Sequence, residues 1–215
     1  VLAVDSRGTK PGSRRGMAKN EWDNFIDRVR ETAAAEIAAL TAVLGDSVDL
    51  SVLSPGKMVR TQMVAHLLPA LPAGTPTAVL IRACAAIETV HTASLCHDDV
   101  VDESLTRRHR PSLWRLVGSS SSSVLIGDLL LCRALELVAD IEDGRHVRSF
   151  LSKTREVCET EARQELRLRG QILDESDCLA VARGKTGPLF AFLGGMCGND
   201  DKTLQGALEE AGYCL

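Results

Sequence analysis

The chain has 215 residues with 25 Lys and Arg against 29 Asp and Glu, a formal net charge of −4, and only 3% aromatic side chains. That balance argues against a nucleic-acid partner, which would want a basic surface and stacking rings, and no apolar run is expected to reach the roughly 20 residues that cross a bilayer. Abundant Ala and Leu predict an all-α fold with a sizeable core. Seven scattered cysteines without a CxxC pair point to a reducing, cytoplasmic setting rather than to zinc or disulfides.

Residues 1–19 carry Arg7, Lys10, Arg14, Arg15 and Lys19 among glycines and a proline. They read as a mobile leader, with a transit peptide as the alternative, and residues 20–215 as one all-α domain. Trp22, Phe25, Ile26, Val29, Ala33, Ile37, Leu40 and Leu44 give a helical period over Glu21–Leu44, with Asn20 as N-cap and Gly45-Asp46-Ser47 as the stop. After the Ser54-Pro55-Gly56 turn, a second helix is expected from Lys57 to about Leu68. Lys57 and Arg60 lie three apart, so both can reach one point at a helix N-terminus, where free N–H groups favour an anion.

Beyond a proline-punctuated loop (Pro69 to Pro76), a long apolar helix runs from Thr77 to about Glu103. It ends in His97-Asp98-Asp99-Val100-Val101-Asp102-Glu103. Asp98 and Asp102, four apart, share a helix face, with Asp99 one step round. Gathered carboxylates repel unless a cation lies between them, and magnesium commonly bridges one or two carboxylates to substrate phosphates. The competing reading is a solvated acidic face. Arg107 and Arg108 favour the first, because guanidinium groups suit the remaining oxygens of a metal-bound diphosphate. His91 stands almost two turns before Asp98 on nearly the same face, and Glu88 three residues earlier.

The bases Arg107 to Arg110 before Pro111 read as a solvated loop, and Gly118 followed by five serines as a flexible break or a loose helix start. Helices are then expected over Val124–Ile141, ended by Asp143-Gly144, and over Arg145–Arg169. A short helix from Asp174-Glu175-Ser176 holds Lys185-Thr186, and a last one covers Leu204–Leu215. Asp200-Asp201, after Gly198-Asn199, reads as a capping turn rather than a second metal pair. No strand is expected.

In order along the chain, these residues resemble the trans-polyprenyl diphosphate synthases, prenyltransferases of the all-α isoprenoid synthase fold. Gly56-Lys57-Met58-Val59-Arg60 is similar to the family's GKxxR. Glu88 through Asp102 (ETVHTASLCHDDVVD) is similar to its first aspartate-rich region, and Arg107-Arg108 with Pro111 to its RRxxP, while Gly127-Asp128 and Lys185-Thr186 follow at the expected intervals. The resemblance implies a helical bundle around a central cavity and a head-to-tail condensation of isopentenyl diphosphate with an allylic diphosphate. It implies Mg2+ on Asp98 and Asp102 with Asp99 beside them, and the allylic diphosphate on Arg107, Lys185 and Thr186. Isopentenyl diphosphate would lie on Lys57, Arg60, His91 and Arg108. Ala93 and Ser94, one turn deeper than Asp98, would leave the tail pocket open, so a longer product, geranylgeranyl or beyond, is expected. A homodimer, or a heterodimer, is implied as well.

The departures from the family pattern are His109 for the usual glycine, Thr61 for the usual proline, and Arg163-Gln164-Glu165-Leu166-Arg167 in a stretch from which nothing is carried over. The sequence ends before the family's second aspartate-rich motif, so the C-terminal helices are read as missing. A longer enzyme is expected, the alternative being a non-catalytic regulatory subunit of a heteromeric synthase. Lys57, Arg60 and Arg108 speak against a terpene cyclase of the same fold, which needs no second diphosphate site.

Overall fold

The computed structural model describes residues 19–45, 48–72, 74–141 and 144–215. Residues 1–18 of the expected leader, Asp46-Ser47 and Asp143 lie outside the described residues. Helix α1 (Lys19–Ala39) buries Phe25, Ile26, Val29, Ala33 and Ile37, the stripe that its period foretells. It is already helical at Lys19, so Asn20 sits inside the first turn rather than capping it. The expected continuous helix to Leu44 breaks at Leu40 into the single turn α2 (Thr41–Leu44), where the Thr41 hydroxyl donates back to Ala38 O at 2.6 Å. Such a local bond competes with a regular helix.

A 3₁₀ turn (Leu50–Leu53) leads to α3 (Val59–Leu67), which begins two residues later than predicted. Met58 is the cause: its side chain is buried while its backbone takes φ +53°, a left-handed conformation no helix can run through. Lys57 therefore precedes the helix instead of opening it.

Helix α4 (Thr77–Val101) is the axis of the fold and packs against α1, α3, α6 and α8. It corrects the expectation about bilayer-length runs, since it is long and apolar enough to span a membrane; 67% of its most apolar window, however, is buried inside the fold, as in a core helix. The basic loop is also corrected. Thr106–Arg107 (β1) pairs antiparallel with Arg110–Pro111 (β2), in register Thr106↔Pro111 and Arg107↔Arg110. Arg108 and His109 reverse the chain at φ +51° and +63°, the sense of turn that matches strand twist.

A single turn, α5 (Leu113–Leu116), precedes α6 (Ser120–Ala139). The serine run is the start of α6, with Ser119 accepting from Ser122 N at 3.3 Å as N-cap. Helix α7 (Gly144–Arg163) widens into a π-turn over Gln164–Leu168 rather than continuing as α-helix to Arg169. Helix α8 (Glu175–Cys197), expected to be short, has 23 residues and is capped by Asp174. It joins α7 through the edge-to-face pair Phe150–Phe192, with centroids 5.5 Å apart. Helix α9 (Lys202–Tyr213) is capped by Asp201, which accepts from Thr203 N and Leu204 N at 2.9 and 3.0 Å, so Asp201 serves as the expected cap.

Candidate active site

The C-terminal end of α4 presents its acids in two directions. Asp98 and Asp102 lie one turn apart, still joined by the helical bond from Asp102 N to Asp98 O at 2.8 Å. Asp99, about 100° round the helix, is buried and faces the hairpin. There Arg107 donates from Nε to Asp99 Oδ1 at 2.7 Å, and its Nη2 stands 2.6 Å from the same oxygen. The bond with Asp99 raises the Arg107 pKa. Among the described residues no group of three metal-binding side chains converges, so the expected cluster of three carboxylates resolves into two and an ion pair.

Across from Asp98 stand two residues that the sequence did not single out. Glu161 on α7 holds Lys185 of α8, Oε2 to Nζ 2.9 Å, and Gln164 Oε1 accepts from the same ammonium at 3.2 Å. The π-turn begins at Gln164, a common setting for functional side chains. A Glu and a Gln three apart on one helix face were the available signal. Burial and then Glu161 push the Asp98 carboxyl up to about 6, with Asp102 adding to them and Lys185 and Arg107 opposing. A half-buried carboxylate that is costly to ionise, with a second one turn away, suits a hard divalent cation. Asp98 and Asp102 fit that role. Thr186 is exposed on α8, next to Lys185.

A cationic region adjoins the acids. His91 is half-buried, and burial, then Arg60, Arg108 and Arg107, push its pKa down to about 4. These arginines come from α3 and the hairpin, so two separate elements direct positive charge at one imidazole. Arg60 lies over the Phe190 ring at 5.5 Å, with its Nε unpartnered. Arg108 donates from Nη1 to Ser54 O at 3.1 Å and rests against Gly56, where any Cβ would collide with the guanidinium. The glycine of the Gly56–Arg60 motif thus makes room for an arginine of the other motif. Lys57 is exposed, and its carbonyl accepts from Gln62 Nε2 at 2.7 Å. The structure does not bring its side chain into the buried part of the site.

Behind the acids, His97 Nε2 lies 3.2 Å from both Asp128 Oδ1 and Val124 O on α6. A Cβ on Gly127 would occupy the imidazole's place, which gives the Gly127-Asp128 pair a packing role. Ala93 belongs to a buried cluster with Ile37, Leu40, Ile126 and Leu130. Ser94 is half-buried and donates to His91 O at 2.9 Å. A cavity of about 210 Å3 lies on the neighbouring face of α4, between Thr92, Cys96, Asp99, the 3₁₀ turn and the hairpin.

Residues 41–210 match the Polyprenyl synthetase family. The chain is 30% identical to the octaprenyl diphosphate synthase of Haemophilus influenzae over 172 residues, 80% of this chain and 51% of that one. It is 34% identical to the all-trans-nonaprenyl-diphosphate synthase of Rhodobacter capsulatus over 169 residues, 78% of this chain and 49% of that one. A crystal structure of polyprenyl synthase from Caulobacter crescentus, complexed with calcium and isoprenyl diphosphate, superposes with a TM-score of 0.68 at 28% identity, over 87% of this chain and 61% of that chain. The chain spans about half the length of the curated relatives it matches. With the family model covering residues 41–210 and the fold matching, the chain belongs to the polyprenyl synthetase family.

Proposed function

We propose that this site serves the head-to-tail condensation of isopentenyl diphosphate with an allylic diphosphate, giving a longer trans-polyprenyl diphosphate. The observation that carries the reading is the separation of charge along α4. Beyond the effect of burial, Arg60, Arg108 and Arg107 act on His91 at one point, and Glu161 and Asp102 act on Asp98 almost two turns away. Two diphosphates need such an arrangement, one held directly by cations and one through a metal.

Arg60, His91 and Arg108, with Lys57 at the mouth, bind isopentenyl diphosphate; His91 is neutral at pH 7 and donates a hydrogen bond without adding charge. Asp98 and Asp102 hold Mg2+, and Asp99 beside them orients Arg107. A bound magnesium would neutralise the charge that develops on the leaving diphosphate. Arg107, Lys185 and Thr186 bind the allylic diphosphate, and Glu161 with Gln164 aims the Lys185 ammonium. The carbon–oxygen bond of the allylic diphosphate then ionises, releasing diphosphate; the double bond of isopentenyl diphosphate attacks the resulting allylic cation, and loss of a proton completes the step. The small residues Ala93 and Ser94 are proposed to permit a product of geranylgeranyl length or longer, so Ala93→Phe should shorten it.

Its buried free thiols, Cys84, Cys96 and Cys197, suit the cytoplasm. Exposed Leu116 and Leu125 on α5 and α6 suit pairing with a second copy. The reading is tested by titrating the chain with isopentenyl diphosphate, and by incubating it with the labelled compound, Mg2+ and geranyl or farnesyl diphosphate before sizing the products. Absence of both binding and incorporation would overturn it.

A further inference from the structure

Helix α3 begins without a local cap. Met58 occupies the N-cap position in a left-handed conformation and offers no side-chain acceptor. The first N–H groups of a helix have no partner of their own and must find one elsewhere. The N–H of Thr61 is one of them, and it finds its partner on another helix. Glu88 of α4 accepts at Oε1 from Thr61 N at 3.3 Å and from Thr61 Oγ1 at 2.8 Å. Thr61 is fully buried and Glu88 is 4% exposed. A carboxylate at a helix N-terminus also complements the helix dipole. The usual family residue at this place, proline, has no N–H and no hydroxyl, so this connection depends on Thr61.

The consequence lies one residue earlier. Arg60 leaves the same turn, with an unpartnered Nε, the Phe190 ring beside its guanidinium and the Glu88 carboxylate near enough to act on its charge. The backbone position of that turn sets where the side chain starts, and Glu88 acts on it both through the turn and through its charge. His91 follows Glu88 by three residues on α4, on the same side of the helix. We propose that Glu88 caps α3 from across the interhelical space through Thr61, and so sets Arg60 opposite His91 at the isopentenyl diphosphate position. Glu88 and Thr61 are positioning residues, and the inference rests on the isopentenyl diphosphate reading of Arg60.

Calorimetric titrations of the 215-residue chain test it, with isopentenyl diphosphate in one series and geranyl diphosphate with Mg2+ in the other. Thr61→Val keeps the shape and loses the hydroxyl; it should weaken isopentenyl diphosphate about tenfold, the size of one buried charge-assisted hydrogen bond, and leave geranyl diphosphate unchanged. Thr61→Ser restores the donor and should bind both ligands as the parent does. Thr61→Ala repeats the deletion without new bulk in case the valine variant fails to fold. Parental affinity for isopentenyl diphosphate in the deletions, or equal loss of both ligands, overturns the positioning role. If Arg60→Ala leaves isopentenyl diphosphate binding intact, the reading of the site falls, and this inference with it.

Discussion

Neutralising Asp98 should stabilise the metal-free protein. Its carboxyl is raised from 3.8 to about 6, by burial first and by Glu161 next. Folding therefore favours the protonated form: stability from this group is present below pH 3.8 and is lost as pH rises through about 6. A shift of about two units corresponds to about 3 kcal/mol in a dry site. Asp98 is only half-buried, and solvent screening reduces this to about 1.5 kcal/mol. Asp98→Asn in EDTA at pH 7.5 should then melt roughly 3–6 °C above the parent chain, and the gap should close steadily as pH falls from 6 towards 4. Adding Mg2+ should raise the parent melting temperature, because a ligand that binds only the folded state stabilises it, and should move the variant much less. Thermal unfolding followed by circular dichroism, with and without Mg2+, measures all four values. A variant that melts below the parent in EDTA at pH 7.5 would refute the repelled-carboxylate reasoning.

Asp99→Asn should behave oppositely, losing about 2 kcal/mol of stability as its buried ion pair with Arg107 weakens, while Mg2+ affinity falls less than in Asp98→Asn; an unchanged urea midpoint would contradict this. His91, lowered from 6.5 to about 4, contributes stability that is full above pH 6.5 and is lost as pH falls towards 4. At pH 5.5 the loss is about 1 kcal/mol, so His91→Gln should show a flatter stability profile between pH 7.5 and 5.5, and identical profiles would exclude it. His109→Gly should relieve the left-handed backbone at the hairpin and add about 0.5–1 kcal/mol, seen as a higher melting temperature; a decrease would mean that the His109 side chain supports the turn.

The sequence by itself determined what depends on neighbours along the chain. The apolar period of α1 and α4 foretold their buried faces, and the four-residue spacing of Asp98 and Asp102 put both on one side of a helix. Asp201 was legible as a cap because capping is a bond between residues two or three apart. The hairpin was not legible, since Arg108-His109 lacks the glycine or asparagine that marks a two-residue turn. That hairpin brings Arg107 back onto Asp99 and Arg108 onto Gly56, pairing one of the three acids with an arginine. Glu161 and Gln164 meet Lys185 because α7 packs against α8, and Glu88 caps α3 from a different helix. Each of these pairings is decided by how the helices pack. Packing is a sum of many contacts between distant segments, and no local spacing encodes it.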